Sequence, residues 1–159
     1  MLEHLAANWG SYASVVGLVF SILAFVFSKR ASQAAREARD SILRRSLSED
    51  MNEASRIAAE IVRFVSLERR DMAQLRTDDL LARTGYYISR WGDHLSNPSR
   101  SNLRRAQNNL ISVSETLTRK VITEMTPNEK SSLATACQTV HSIFSEEHGA
   151  SIKSMDRIE

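Results

Sequence analysis

The chain opens on a long apolar segment and then changes to an alternation of apolar and charged positions. Residues 5–28 contain no charged side chain. A helix over residues 9–28 is ~30 Å long at about 1.5 Å per residue, which matches the hydrocarbon thickness of a bilayer. Residues 1–8 contain no Lys or Arg, so the segment lacks the basic start of a cleaved signal peptide. The pattern predicts an uncleaved transmembrane anchor over residues 1–28.

A seam of small residues runs along one face of this predicted helix. Its members are spaced alternately four and three residues apart, which places them on one stripe with heptad spacing. Small side chains let neighbouring membrane helices approach closely, so the seam predicts self-association with left-handed supercoiling. Two alternatives stay open: the serines line a water-filled pore in a ring of helices, or the spacing is accidental in a monomeric anchor. The seam consists of Gly10, Ser14, Gly17, Ser21, Ala24, Ser28, Ala31, Ala35 and Ala38, and its spacing continues to Ile42.

Positive charge follows the apolar segment directly. Six basic and two acidic residues give residues 29–45 a net charge of +4. The basic, alanine-rich segment over residues 29–47 is predicted to form a helical stalk. Because segments rich in Lys and Arg stay on the cytoplasmic side, we expect a cytoplasmic C-terminal domain, with the N-terminus outside a bacterial inner membrane. Trp9 and Tyr12 are then expected at the outer interface.

From residue 48 onward, apolar residues recur every three or four positions, which is the period of amphipathic α-helices. The predicted fold class is all-α: a single N-terminal transmembrane helix continues into the stalk, and residues 48–149 form a small antiparallel four-helix bundle. The predicted core positions are Ala54, Ile57, Ala58, Ile61, Phe64, Val65, Leu75, Leu80, Leu81, Tyr87, Ile88, Trp91, Leu95, Leu103, Ala106, Leu110, Val113, Leu117, Val121, Leu133, Ala136, Cys137, Val140, Ile143 and Phe144.

Capping and turn residues predict where the first three bundle helices begin and end. Ser48, followed by acidic residues, is expected to be the N-cap of the first helix. A break is expected near residues 69–71. Pro98 is expected to end the second helix, and either Ser99 or Ser101 to open the third.

The fourth helix has the clearest start signal. Thr126 and Glu129 have the spacing of a capping box, and Pro127 occupies the first helical position, where its missing N–H costs nothing. Gly149 is expected to end this helix. Residues 150–159 lack periodicity and are predicted to be a disordered tail.

The sequence contains no recognisable reaction centre. Glycine-rich phosphate loops, paired-cysteine metal motifs and nucleophile elbows are absent, so no cofactor and no metal is expected. The single Cys137 excludes an internal disulfide, as suits the cytosol. Cys137, His141 and His148 share one helical face, which fits either a metal or thiolate site or packing beside the apolar stripe, and packing is favoured. Residues 46–159 carry 15 basic and 16 acidic residues, so no DNA-binding surface is expected.

The Arg90-Trp91-Gly92-Asp93-His94 segment brings in a family resemblance. An N-terminal span followed by a small helical bundle resembles the membrane-bound accessory protein of RNA-targeting type VI-B CRISPR systems, whose bundle is similar to degenerate HEPN domains and which assembles into a membrane pore. A HEPN ribonuclease motif places four to six residues between Arg and His, whereas three lie between Arg90 and His94. The resemblance implies a pore-forming antiviral membrane effector, and it carries Arg90 and His94 over only as candidate catalytic residues.

An RNA-binding interpretation adds a short basic patch. Arg100, Arg104 and Arg105 follow Trp91, so a base stacked on an exposed Trp91 has phosphate-binding arginines nearby. Our leading hypothesis is nevertheless non-enzymatic: a membrane-bound homo-oligomer whose cytosolic bundle binds a protein or RNA partner or another signal. The alternative is a membrane-tethered divergent HEPN-type ribonuclease or RNA-binding module.

Overall fold

The computed structural model describes the backbone of residues 2–156 and the side chains of Ser14 and of residues 16–153. Over these residues the chain forms four α-helices and one 3-10 turn, and no strand. The all-α fold class is therefore confirmed. The helices are α1 (Leu2–Ser66), α2 (Arg70–Trp91), α3 (Asn97–Arg119) and α4 (Pro127–Asp156), and the 3-10 turn covers Ile122–Glu124.

The chain divides into two compact units, Met1–Leu43 and Arg44–Glu159. Helix α1 includes residues of both units, so the expected start of a new helix at Ser48 is wrong. The acidic residues after Ser48 are not at a helix start. Two of them accept hydrogen bonds from side chains of α2 instead. Asp50 accepts a hydrogen bond from Trp91 and Glu53 accepts one from Arg83.

The N-terminal unit contains the apolar segment. Within the described part of the chain, one helix is long and apolar enough to cross a membrane, and its best window has a mean hydropathy of 1.2. None of that window is buried by other parts of the chain. The side chains of Trp9 and Tyr12, expected at an outer interface, lie outside the described residues.

The second unit is an antiparallel bundle, as the pairs of bonded residues show. From α1 to α2, Glu53 bonds Arg83 and Glu60 bonds Arg76, so one helix ascends while the other descends. The same reversal relates α2 to α3, α3 to α4, and α1 to α4; the bonded pairs are Arg70–Leu117, Gln74–Ser114, Asn102–Glu147, Lys120–Glu129, Ser48–His148 and Ser55–Ser145.

The bundle core contains most of the predicted apolar positions. Its largest fully buried side chains include Trp91, Phe144, Met51, Ile61, Leu80, Leu103, Leu110, Leu117 and Ile122. Leu75 and Val121 were predicted to be buried but are 60% and 41% exposed. Thr77 and Thr84 take core positions instead, because each hydroxyl donates to the carbonyl four residues earlier and so satisfies its hydrogen bond inside its own helix.

The structure corrects three of the predicted helix boundaries. Helix α2 ends at Trp91 rather than at Pro98, which lies in the first turn of α3, where its missing N–H costs no hydrogen bond. Ser96, rather than Ser99 or Ser101, caps α3, since its Oγ accepts from the Ser99 N–H at 3.2 Å. Helix α4 continues past Gly149 to Asp156, so the tail predicted from residue 150 is helical as far as it is described. Gly149 lacks the positive φ of a helix stop, and residues 157–159 lie outside the described part.

Two other predicted boundaries are confirmed. Helix α1 ends at Ser66 and α2 begins at Arg70, with Glu68 between them in the left-handed region at φ 55°. At the start of α4, Thr126 Oγ1 accepts from the Glu129 N–H at 3.3 Å, and the Glu129 carboxylate accepts from the Thr126 N–H at 2.9 Å. This reciprocal pair is the predicted capping box.

Candidate functional site

The seam is the candidate site that the N-terminal unit presents. Seam positions from Ser14 to Ala38 are exposed, whereas Gly10 is described only by its backbone. A Cβ atom added to Gly17 meets no atom of this chain within 4 Å. Ser21 Oγ donates to the Gly17 carbonyl at 2.8 Å, so the proton of this hydroxyl is used within its own helix. The chain itself covers nothing of the seam over this stretch.

Large apolar side chains occupy the other faces of the same helix. Within the described residues, nine of them between Val16 and Phe27 are 40–71% exposed. The three phenylalanines, Phe20, Phe25 and Phe27, are the most exposed of the set, each at 64% or more. The helix therefore presents a narrow smooth stripe between bulky faces, which is the shape of a close helix-packing surface in lipid.

Arg90, a candidate catalytic residue, is engaged in a cluster that joins α2 to α1. Its guanidinium lies 4.5 Å from the centroid of the Trp91 ring and 5.6 Å from that of the Tyr86 ring. Nη1 donates to the Tyr86 hydroxyl at 3.0 Å and lies 3.8 Å from Asp50 Oδ2. Cation–π and ionic contacts of this kind hold the side chain in a packing role.

His94, the second candidate, follows the end of α2. Its backbone N–H donates to the Trp91 carbonyl at 2.8 Å. Its ring meets the Trp91 ring edge-on with centroids 6.3 Å apart. Arg90 and His94 thus both contact Trp91, with the arginine cation already bound to the ring face, to a hydroxyl and to a carboxylate.

Trp91 lies in the core and presents no stacking surface. The residue is 1% exposed, and its Nε1–H donates to Asp50 Oδ2 at 2.9 Å. The expectation that a base stacks on an exposed Trp91 is therefore wrong. The large ring can be buried against helix α1 because Asp50 supplies the hydrogen-bond acceptor that a buried indole N–H needs.

The three arginines of the predicted RNA patch are separated by their contacts. The Arg100 guanidinium donates to the Gly92 carbonyl, which closes the turn between α2 and α3. Arg104 and Arg105 are exposed on α3. The patch therefore retains two exposed arginines and loses both Trp91 and the free cation of Arg100.

A ladder of ion pairs joins α1 to α2. It was not predicted from the sequence. Its arginines recur every seven residues on α2, and the pairs are Arg90–Asp50 at 3.8 Å, Arg83–Glu53 at 3.0 Å and Arg76–Glu60 at 2.8 Å. Asp79 also bonds Arg83 at 2.9 Å, and this hydrogen bond raises the pKa of Arg83. The seven-residue spacing was the available signal. Exposed pairs contribute only about 0.2–1 kcal/mol each, so the ladder fixes register more than it adds stability.

Cys137, His141 and His148 belong to the bundle's packing. Cys137 is 2% exposed, and burial raises the pKa of its thiol to about 12. His141 Nε2 lies 3.4 Å from Ser145 Oγ, and His148 Nδ1 lies 3.2 Å from the Ser48 carbonyl oxygen. In the described residues, no three His, Cys, Asp or Glu side chains are grouped so as to hold a metal ion.

A shallow polar groove lies between α3 and α4 of the bundle. Its volume is about 620 Å³. Arg105, Asn109 and Ser112 form one wall, and Asn128, Ser132 and Thr135 form the other. Short hydroxyl and amide side chains on both walls make it a candidate surface for a polar partner of the bundle.

No known protein family, curated protein or solved structure matches the chain in sequence or fold comparisons.

Proposed function

We propose that the protein is a non-enzymatic, single-pass membrane protein that self-associates through its small-residue seam and presents its helical bundle to a cytosolic partner or signal. The observation that supports the proposal most strongly is that no residue in the apolar window of α1 is buried by the rest of the chain. A core helix of a soluble domain passes the same test of length and composition, but it is mostly buried by its own chain.

Membrane insertion is the favourable state for this segment. The nine large apolar side chains between Val16 and Phe27 contribute roughly 3–5 kcal/mol to insertion, at about 0.3–0.6 kcal/mol each. The bundle has a core of its own that does not use them. In water these side chains remain exposed. In a membrane, lipid covers the bulky faces of the helix, and a second copy of the chain covers the seam.

Charge supports the proposed orientation. Residues 29–45 carry a net charge of +4 and residues 1–8 carry no Lys or Arg. We therefore propose that the bundle lies in the cytoplasm of a bacterial cell and that the membrane is the inner one. The proposed role is that of a membrane effector, as in the CRISPR accessory proteins that the layout resembles.

The cluster around Trp91 favours a binding role over a ribonuclease. A metal-independent ribonuclease needs a free cation beside its histidine to hold the scissile phosphate, and Arg90 is instead bound to Tyr86, Trp91 and Asp50. The polar groove between α3 and α4 is the proposed partner surface. Of the RNA candidates, Arg105 lies in its wall.

Two matched substitutions test the proposal in full-length protein reconstituted in nanodiscs. Gly17→Ile adds bulk to the seam, and Val19→Phe adds the same number of side-chain carbon atoms to a lipid-facing position. Since a Cβ atom at Gly17 meets no other part of the chain within 4 Å, the added bulk is directed at a neighbouring molecule or at lipid. Mass measurement should show a discrete oligomer for the wild type and for Val19→Phe, and monomers for Gly17→Ile.

An oligomer that survives Gly17→Ile would remove the seam from the proposal, and a monomeric wild type would make the span a simple anchor. Dye release from liposomes then separates a packed seam from a water-filled serine stripe. A packed seam retains the dye, whereas a pore releases it and loses that activity with Gly17→Ile.

A further inference from the structure

A group of cations follows the apolar window on the same helix. Lys29, Arg30 and Arg36 are all exposed, and α1 is helical throughout this stretch. No acidic residue lies between Glu3 and Glu37, so Lys29 and Arg30 have no acidic neighbour within one helical turn, whereas Arg36 is followed directly by Glu37. We call Lys29, Arg30 and Arg36 the basic collar.

The collar points away from the seam. When the seam residues are assigned to positions a and d of the heptad, Lys29 and Arg36 fall at b and Arg30 falls at c. These positions lie on the outer side of an associated helix, where Ile22 and Leu23 lie one heptad earlier. Neighbouring copies that meet at the seam therefore leave the collar facing lipid.

Height above the membrane also brings the collar within reach of the headgroups. The polar layer on each side of a bilayer is roughly 5–8 Å thick. If the hydrocarbon ends at Ser28, Lys29 and Arg30 lie within this layer, and Arg36 lies ~12 Å beyond the hydrocarbon at about 1.5 Å per residue. Arg36 is then within a Debye length of the headgroups, since that length is ~8 Å at physiological salt.

We infer that the basic collar is a binding site for the headgroups of anionic phospholipids, with their phosphates as the bound groups. The inference rests on the proposed function, because it needs α1 to span the membrane. Phosphate of RNA is the competing ligand of the same chemistry. Lipid is favoured because the collar adjoins the apolar window and faces the side that lipid occupies.

The test compares two triple variants of the full-length protein in nanodiscs that contain both phosphatidylglycerol and phosphatidylcholine. K29Q/R30Q/R36Q removes the collar, while R56Q/R63Q/R104Q removes three exposed arginines of the bundle and serves as the charge-matched control. Arg39, Arg44 and Arg45 remain in both variants to hold the orientation. Native mass spectrometry counts the two lipids that each protein retains.

The wild type and the control should retain phosphatidylglycerol preferentially, and the collar variant should lose most of that preference. Each charge near an anionic surface changes the affinity about five-fold, so three charges change it by roughly 100-fold. The charge-conserving variant K29R/R30K/R36K should behave as the wild type, and added salt should weaken the preference. Equal enrichment in the collar variant and the control, or no enrichment in the wild type, would overturn the inference.

The same spectra distinguish failure of the lipid site from failure of the proposed function. An oligomer of defined mass without phosphatidylglycerol preference contradicts the lipid site alone. Protein that does not enter nanodiscs contradicts the membrane function itself. A single-stranded RNA oligonucleotide added to the detergent-solubilised protein provides the third arm, and RNA binding that depends on the collar would replace the lipid inference.

Discussion

Replacing Trp91 by Phe removes one hydrogen bond from the bundle while keeping most of the buried apolar surface. The indole Nε1–H donates to Asp50 Oδ2 at 2.9 Å, and a hydrogen bond to a charged group contributes about 1.5–3 kcal/mol. The Arg90 guanidinium 4.5 Å above the ring adds a cation–π term of about 0.5–1 kcal/mol that Phe only partly retains. Together the substitution should lower the free energy of unfolding by about 2–4 kcal/mol.

Thermal unfolding of the full-length protein in detergent micelles, followed by circular dichroism, measures this loss. For a bundle of this size, 1 kcal/mol corresponds to a shift of roughly 4 °C, so Tm should fall by about 8–16 °C. Leu75→Ala is the control, because this side chain of α2 is 60% exposed. That substitution should change stability by about 0.5 kcal/mol or less.

A double-mutant cycle isolates the hydrogen bond itself. Asp50→Ala removes the acceptor, so its cost and that of Trp91→Phe share one interaction. The double variant should be less destabilised than the sum of the single variants by about 1–2 kcal/mol. Effects that add to within about 0.5 kcal/mol would refute the assignment of Trp91 as an anchor between α1 and α2.

Two further predictions concern titratable groups. Hydrogen bonds from Lys120 and from the Thr126 N–H and hydroxyl lower the pKa of Glu129 from 4.5 to about 2. A carboxyl whose pKa is lowered in the folded state stabilises it above the unfolded pKa, so the contribution should be lost as the pH falls from about 4.5 to about 2; Glu129→Gln should flatten that part of the curve of Tm against pH, and an unchanged curve would contradict the capping box. Burial raises the pKa of Cys137 to about 12, so iodoacetamide at pH 8 should label the thiol only after unfolding. Rapid labelling of the folded protein, measured by mass spectrometry, would show that the thiol is accessible.

The sequence correctly predicted the features that depend only on residues close together in the chain. The capping box at Thr126 was correct because its two hydrogen bonds join residues three apart, and no distant part of the chain has to cooperate. The apolar stripe of α3 was nearly correct for a similar reason, since a regular three-four spacing faces one side of a helix wherever the bundle places it.

The errors arose where distant residues decide the outcome. Ser48 and the acidic residues after it resemble a helix start. In the structure Ser48 lies within the continuous helix α1, and its carbonyl oxygen is bonded by His148, 100 positions away. The sequence left two interpretations of Trp91 open, a core position and an exposed surface for base stacking. Asp50 on α1 favours burial, because it accepts a hydrogen bond from the indole N–H. The surroundings of the candidate site residues therefore depend on which residues of α1 and α2 are paired in the folded bundle. The only sign of this pairing in the sequence is the seven-residue spacing of the arginines on α2.

Disulfide cross-linking in the native membrane tests the central claim most directly. Ala24→Cys places a thiol in the seam, and Val26→Cys places one on a lipid-facing position two residues away. Cys137 is buried and does not compete. Because a disulfide needs Cα atoms about 4.4–6.8 Å apart, oxidation should yield covalent dimers for Ala24→Cys and monomers for Val26→Cys. Equal cross-linking at the two positions, or none at either, would contradict self-association through the seam.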